Sequence, residues 1–169
     1  MKTGKIITII LMLVLLDQMI KIVIYNYFFD HNFVIIPPLF EFRPVFNNKG
    51  PYFFNLLKIN IGYGIFIIHI ILQFCMITFY ILLRQVGNNT KLFDSVFIFF
   101  ESGLICSLIG YLIWDKGCLD YIYLKPLFIF DLKDVYINCF VCLLLIFSYK
   151  NKLKRFSYIR KLLKTKHLL

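Results

Sequence analysis

The sequence predicts an all-α polytopic membrane protein with four transmembrane helices and a small extracytoplasmic β-segment. Its mean hydropathy is +0.79 per residue, and 60% of the 169 residues are hydrophobic, which excludes an ordinary soluble domain. Four apolar stretches approach the roughly 20 residues of helix that cross about 30 Å of hydrocarbon. Between the first two stretches, charged and aromatic residues alternate as in a half-buried strand.

The four spans define one transmembrane domain, followed by a basic tail. The spans cover residues 6–24, 61–83, 92–114 and 135–149, the outer segments are residues 25–60 and 115–134, and the tail is residues 150–169. The first span has the basic flank of a secretory signal peptide, but no small-residue cleavage site follows it, because the chain contains no alanine. We therefore expect the first helix to remain uncleaved.

The basic residues predict the orientation in the membrane. Lys2 and Lys5 precede the first span, Arg84 and Lys91 flank the loop between spans two and three, and eight more follow Tyr149. Twelve of the nineteen lysines and arginines thus lie on one side, which predicts that both termini are cytoplasmic. The tail contains no acidic residue and is expected to lie on anionic headgroups rather than on nucleic acid.

The first outer segment is expected to cover a site at the membrane surface. Leu39 to Arg43 alternate charged and aromatic side chains, and prolines at 37, 38 and 44 keep any strands short. Asn47 to Gly50 supply the residues of a turn, and an aromatic run follows it. The simpler alternative is an interfacial loop.

The second outer segment contains a cluster of acids, in the stretch GCLDYIYLKPLFIFDLKD (residues 117–134). The fourth span has fifteen residues, about 22 Å of helix, so part of residues 127–134 must enter the outer leaflet with Asp134. Asp131 and Asp134 are three positions apart and share a face of a helix. Asp120 follows the end of the third span, so two or three carboxylates are expected to converge at the membrane boundary.

Converging carboxylates are the constellation that an aspartyl hydrolase uses. Two acids in contact split their pKa values, so that one carries a proton while the other activates water. The three histidines are scattered, and the chain offers no serine–histidine or cysteine–histidine arrangement. The alternative is that these acids only neutralise nearby lysines, namely Lys116, Lys125 and Lys133.

Two further features concern the spans themselves. Asp17 and Lys21 are four residues apart and are expected to pair within the first helix and orient the site. Glu101, in the middle of the third span, is expected to hydrogen-bond another helix. Four of the five cysteines fall in spans, and only Cys118 lies outside, so we expect neither a disulfide nor a metal site.

Four short motifs, in order, resemble those of bacterial signal peptidase II, the lipoprotein signal peptidase. The family's D-x-x-x-K in the first helix is matched by Asp17 and Lys21, and its N-x-G-x-x-F by Asn48, Gly50 and Phe53. Each motif is weak alone, but the resemblance covers nearly the whole chain up to the basic tail.

The catalytic motifs of the family are matched in the second outer segment. G-x-V-x-D-F-I resembles GCLDYI (residues 117–122), and F-N-x-A-D-x-x-I resembles FDLKDVYI (residues 130–137). On this resemblance the catalytic pair is Asp120 and Asp134, and Asp131 stands where the family has asparagine. The family's G-N-x-x-D-R is degraded. One alignment puts Trp114 at its aspartate, and the other matches Asp115–Lys116 to D-R.

The resemblance implies an intramembrane aspartyl endopeptidase that removes signal peptides from diacylglyceryl-modified prolipoproteins. Asn48, Gly50, Lys116 and Asp131 would position the substrate or its oxyanion, with Asp17 and Lys21 as structural support. It implies a monomer in the bacterial inner membrane, with the active site at the outer face, a lipidated substrate, lipid contacts, and no cofactor or metal.

Two other functions remain open at this stage. A non-catalytic four-helix protein on the same scaffold would bind lipidated peptides or partner helices, and losing Asp120 or Asp134 would not affect it. A small membrane subunit would instead dock a cytoplasmic partner through residues 150–169.

Overall fold

Four long helices form the bulk of the protein. The computed structural model describes residues 1–47, 64–86, 90–114 and 116–166. The helices are α1 (Thr3–Val23), α2 (Gly64–Val86), α3 (Thr90–Ile113) and α4 (Leu132–Lys166), and a π-helical segment, Ile24–Phe28, extends α1. Each contains a stretch long and apolar enough to cross a membrane, which confirms the predicted class of fold.

The candidate spans within these helices are Thr3–Phe28, Ile67–Gln85, Lys91–Ile113 and Leu132–Lys152. The fourth therefore begins three residues before the predicted position 135. α4 has 35 residues, about 52 Å of helix, which is much longer than the hydrocarbon is thick. The tail as far as Lys166 is thus a direct continuation of the fourth span.

α3 is the central helix of the bundle. Half of its most apolar stretch is buried, compared with 17–22% in the other three spans, and it packs against α1, α2 and α4. Outward-facing side chains such as Leu11, Met12 and Phe74 are more than half exposed, as expected for surfaces that contact lipid. Gly103 lets α3 and α4 approach closely, because a Cβ there would lie 2.6 Å from Cδ1 of Ile137.

Polar contacts also connect the helices inside the bundle. The amide of Gln73 in α2 donates a hydrogen bond to Glu101 in α3, which confirms the predicted bond from Glu101 to another helix. The hydroxyl of Tyr80 in α2 donates to Asp94 in α3 over 2.7 Å. Such bonds satisfy polar groups that lipid cannot solvate.

An antiparallel sheet of four strands joins the segment after the first span to the segment between the third and fourth spans. Its strands are β1 (Phe33–Ile36), β2 (Phe40–Asn47), β3 (Cys118–Leu124) and β4 (Phe128–Phe130), in the order β1-β2-β3-β4. The predicted strand character around residues 39–43 is confirmed by β2. Strands β3 and β4 were not predicted from the sequence, and they bring the acidic stretch into the same sheet.

Pro44 explains an irregularity between the two central strands. Phe42 pairs with Ile122 and Val45 with Asp120, so the register shifts between them. Proline has no N–H for the ladder, and in an interior strand it is tolerated at a bulge. β2 therefore continues past the proline to Asn47 and brings Asn47 beside Cys118.

Alternate side chains of β3 point to opposite faces of the strand, one packed in an apolar cluster and the other facing a cavity. Leu119 and Tyr121 are buried in a cluster with Ile24 at the end of α1. Cys118 and Asp120, on the opposite face, line a cavity against the helices. Burial of one face thus fixes the direction of the Asp120 carboxylate.

Two glycines set the start of β3. Gly117 has φ 95°, a left-handed conformation that glycine adopts without the steric cost of a side chain. Gly110 on α3 faces Cys118, and a Cβ at Gly110 would lie only 2.5 Å from the Cys118 Sγ. The missing side chain at 110 therefore allows β3 to lie directly against α3.

Candidate active site

Acidic and basic side chains meet where the sheet joins α1 and α4. They are Asp17 and Lys21 of α1, Asp120 of β3, and Asp131, Lys133 and Asp134 at the start of α4. Carboxylate oxygens of Asp120, Asp131 and Asp134 all lie within 4.8 Å of one another. The expected convergence of three carboxylates is therefore confirmed.

The first turn of α4 holds two of these acids by a reciprocal cap. Asp131 precedes the helix, and its Oδ1 accepts a hydrogen bond of 3.2 Å from the backbone N–H of Asp134. Oδ2 of Asp134 accepts one of 3.2 Å from the backbone N–H of Asp131. This is the arrangement of a capping box, formed here by two aspartates. The cap thus places both carboxylates side by side.

Lys21 links the first helix to this cap. Its Nζ lies 2.8 Å from Oδ2 of Asp17 and 2.7 Å from Oδ2 of Asp131, and all three side chains are fully buried. The predicted pair of Asp17 and Lys21 is therefore present, and the lysine also reaches the second outer segment through a carboxylate. Buried charges of this kind require partners with good geometry.

Lys133 occupies the centre of the three acids. Its Nζ is 2.8 Å from Oδ1 of Asp120, 2.9 Å from Oδ1 of Asp131 and 3.5 Å from Oδ2 of Asp134. Three carboxylates this close are a donor set that binds divalent cations. Here the ammonium of Lys133 supplies a positive charge within the cluster.

The carboxyls of Asp120 and Asp131 respond differently to this environment. Burial raises the pKa of the Asp120 carboxyl above its ordinary value, although the ammonium of Lys133 opposes that effect. Burial acts in the same direction on Asp131, but Lys133 and Lys21 together outweigh it, so the pKa of Asp131 is lowered. Asp131 is therefore an anion that holds two ammonium groups.

A cavity of about 390 Å³ gives access to part of this cluster. Its apolar wall is formed by Ile68, Leu72, Leu104, Phe128, Ile129 and Ile137. Asn47, Asp120, Lys133 and Asp134 also line it. The Asp134 side chain is 41% exposed and that of Asp120 is 4% exposed. Asp131 is 0% exposed and is not among the described residues that line the cavity.

Asn47 is a site residue that was not predicted from the sequence. Its Nδ2 donates a hydrogen bond of 3.1 Å to Oδ2 of Asp120. The two residues meet only because β2 and β3 pair, and the one available signal was that Asn47 precedes the motif residue Asn48. Asn48 and Gly50 themselves lie outside the described residues.

Other cavity residues were also not anticipated. Nε2 of His69 in α2 lies 3.2 Å from Oγ of Ser107 in α3, on the cavity wall. Cys118 is buried there, and burial raises the pKa of its thiol to about 11. The thiol is therefore protonated at neutral pH. Because the thiolate is the nucleophilic form of cysteine, Cys118 is not a nucleophile here.

Lys116 does not meet the aspartates. Its Nζ lies 6.0 Å from the ring centre of Phe46, and it lines a separate cavity with Tyr25 and Trp114. The other lysine considered as a partner for outer acids, Lys125, pairs with Glu41 over 3.1 Å.

A buried group of aspartates beside an apolar cavity, on four membrane helices, narrows the choice of family. The sequence profile described as signal peptidase (SPase) II matches residues 9–150. The chain belongs to the signal peptidase II family. Signal peptidase II enzymes are aspartic peptidases that cleave signal peptides from prolipoproteins, and the chain is accordingly an aspartic signal peptidase of the bacterial membrane. The resemblance drawn from its motifs is confirmed.

Solved structures support the fold of this signal peptidase II. It is similar to a bacterial membrane enzyme determined by the in meso method at 2.3 Å resolution, with a TM-score of 0.73 and 19% identity, over 89% of this chain and 91% of that one. It is also similar to a second bacterial membrane enzyme, determined by the same method at 1.9 Å resolution. The TM-score is 0.69 and the sequence identity 21%, over 86% of this chain and 92% of that one. No curated protein sequence matches the chain significantly.

Proposed function

We propose that Asp120 and Asp134 are the catalytic pair of this signal peptidase. The observation that carries the assignment is that both carboxylates line the same apolar cavity, with a lysine between them. A reacting peptide bond needs access to both groups, and Asp134 is the more exposed of the two. The apolar wall suits a lipidated, hydrophobic substrate, which we take to be a diacylglyceryl-modified prolipoprotein.

Asp131 acts as a positioning residue in this proposal. It is fully buried and caps α4, and both of its carboxylate oxygens have a lysine partner. Asp17 and Lys21 provide the expected structural support through this network, because Lys21 pairs with both Asp17 and Asp131, and Asp131 pairs with Lys133. Asn47 fixes the orientation of Asp120 from the other side.

The reaction begins with water held by Asp134. Its carboxylate accepts a proton as the water oxygen bonds to the carbonyl carbon, and the carbonyl π electrons move onto oxygen. The C–N bond then breaks, and the proton on Asp134 passes to the leaving nitrogen. Asp120, held by Asn47, contributes the second carboxylate of the pair.

The orientation follows from the distribution of basic residues. With both termini in the cytoplasm, the sheet and the site lie at the outer face of the inner membrane. We propose that Asn48 and Gly50 help to bind the substrate and that the enzyme works as a monomer, whereas Lys116, in its separate cavity, has no role in binding the substrate.

Cleavage of a diacylglyceryl-modified prolipoprotein in detergent, followed by gel shift, tests the pair. Asp120→Asn and Asp134→Asn are each expected to abolish cleavage, whereas Asp131→Asn lowers but does not abolish it. Cleavage that survives Asp134→Asn but not Asp131→Asn would move the second catalytic acid to position 131. A folded but inert wild type would favour a non-catalytic binding protein on the same scaffold.

A further inference from the structure

We propose that Lys133 is a catalytic residue, whose ammonium takes the place of the proton that an aspartic pair otherwise shares. The inference rests on the proposed function, since it needs Asp120 and Asp134 to be the reacting acids. An aspartic pair holds one proton between two carboxylates so that one of them can donate to the carbonyl oxygen. In this protein a positive group already lies between them.

The contacts of the ammonium with the three carboxylates are unequal. It donates a hydrogen bond of 2.8 Å to Asp120 and forms an ion pair with Asp131 over 2.9 Å. The hydrogen bond that it donates to Asp134 is the longest contact, at 3.5 Å, beyond the usual range for this bond. A carbonyl oxygen that enters the cavity can therefore replace Asp134 as the acceptor of that N–H.

The ammonium is held rigidly enough for this task. Lys133 is in the first turn of α4, its side chain is 11% exposed, and it lines the cavity. Asp131 anchors it and is anchored in turn by Lys21. A preorganised donor in a water-poor site stabilises a developing oxyanion without first reorganising.

The chain differs from a signal peptidase II motif at both members of the ion pair between Asp131 and Lys133. The F-N-x-A-D motif has neutral residues where this chain has Asp131 and Lys133. The chain has therefore gained one charge of each sign, and the two charged groups lie 2.9 Å apart. Because both departures from the motif are in direct contact and have opposite charge, we interpret Asp131 and Lys133 as one functional unit.

The chemistry balances with the lysine protonated throughout. Asp134 removes a proton from water, the water oxygen bonds to the carbonyl carbon, and the resulting oxyanion accepts a hydrogen bond from Lys133. The C–N bond then breaks with its electron pair going to nitrogen, and Asp134 returns its proton to that nitrogen. The oxyanion collapses to a carbonyl, and Lys133 is again directed at Asp134.

An ammonium differs from a shared proton in its response to pH. The proton of an aspartic pair is lost as the pH rises, whereas a lysine keeps its charge into the alkaline range. The titratable or charged groups that act on Lys133 are Asp17 and Lys21 of α1, Tyr111 of α3, Cys118 and Asp120 of β3, and Asp131 and Asp134 of α4; His69 of α2 lines the same cavity. Activity of the wild type should therefore persist at alkaline pH.

The test compares kcat and KM from pH 5 to pH 9 for wild type, Lys133→Met and Lys133→Arg, on a diacylglyceryl-modified prolipoprotein in detergent. For Lys133→Met at pH 8 we expect kcat to fall about 100-fold with little change in KM, the scale of a lost oxyanion donor. Its remaining activity should be displaced toward acid by about one pH unit or more, because it again needs a shared proton. Lys133→Arg should keep the alkaline activity in part.

Controls separate this inference from the proposed function and from misfolding. Lys125→Met removes a lysine that pairs with Glu41 on the sheet and should leave the profile unchanged. If Lys133→Met does not fold, Asp131→Asn/Lys133→Met removes both charges and should show the same acid displacement. A wild-type profile in either variant, or faster cleavage at pH 8, would overturn the role of Lys133 while leaving the aspartate pair intact. An inert wild type with inert variants would overturn both proposals.

Discussion

Nζ of Lys21 in α1 lies 2.7 Å from Oδ2 of Asp131, the residue that caps α4, and both side chains are fully buried. The two residues are separated by most of the chain. Their contact connects the first membrane helix to the helix that carries Lys133 and Asp134. The site is therefore assembled through charges that have little access to water, where the loss of one partner is costly.

Asp131→Asn should destabilise the protein by roughly 3–5 kcal/mol at pH 7, because it leaves the buried Lys21 and Lys133 short of an anion. The folded-state pKa of Asp131 is lowered, so its contribution is present above the unfolded value of about 4 and is lost as the pH falls through the folded value. Thermal unfolding in detergent at several pH values measures this. The exposed Asp30→Asn is the control, and equal melting temperatures for both variants would contradict the prediction.

Asp120→Asn should have the opposite effect on stability. Burial raises the folded-state pKa of Asp120, so its ionised form destabilises the fold above that pKa, and the penalty vanishes below about pH 4. We expect the melting temperature to rise by about 2 °C or more at pH 8, with a gain that declines toward pH 4, while cleavage is abolished. A variant less stable than wild type at pH 8 would show that the pairing with Lys133 outweighs burial.

Asn47→Ala should lower kcat about 10-fold with KM nearly unchanged. The substitution removes the 3.1 Å hydrogen bond that orients Asp120 and costs about 1.4 kcal/mol, which corresponds to one order of magnitude in rate. Steady-state kinetics with the lipidated substrate measure the split between kcat and KM. Asn26→Ala, on the exposed π-helical segment, serves as the control, and similar kinetics for both variants would mean that Asn47 does not position the acid.

Gly110→Ala should displace β3 from α3 and slow the reaction. The added Cβ would meet the Sγ of Cys118 at 2.5 Å, two residues from Asp120, and overpacking of this kind costs about 1–3 kcal/mol. We expect a lower melting temperature and about a 10-fold loss of activity. Gly4→Ala, where nothing lies within 4 Å, should behave as wild type. Full activity in Gly110→Ala would mean that the strand shifts without moving the carboxylate.

Local signals in the sequence predicted most of the fold. Long apolar runs define helices in a membrane whatever they pack against, because the backbone must satisfy its own hydrogen bonds there. The capping of α4 by Asp131 is similarly local. By contrast, β3 and β4 were not predicted, since a strand is defined by pairing with a distant segment. Asn47 was missed for the same reason.

The sequence by itself determined the family, the four helices and the presence of aspartates near one another at a membrane boundary. It left Lys133 as one of three lysines with the alternative role of neutralising nearby acids. Only the tertiary structure placed its ammonium 2.8 Å from Asp120 and buried Asp131 behind the residues that line the cavity. Charge interactions depend on distance and burial, and both are decided by how β3 packs against α3 and where α4 begins.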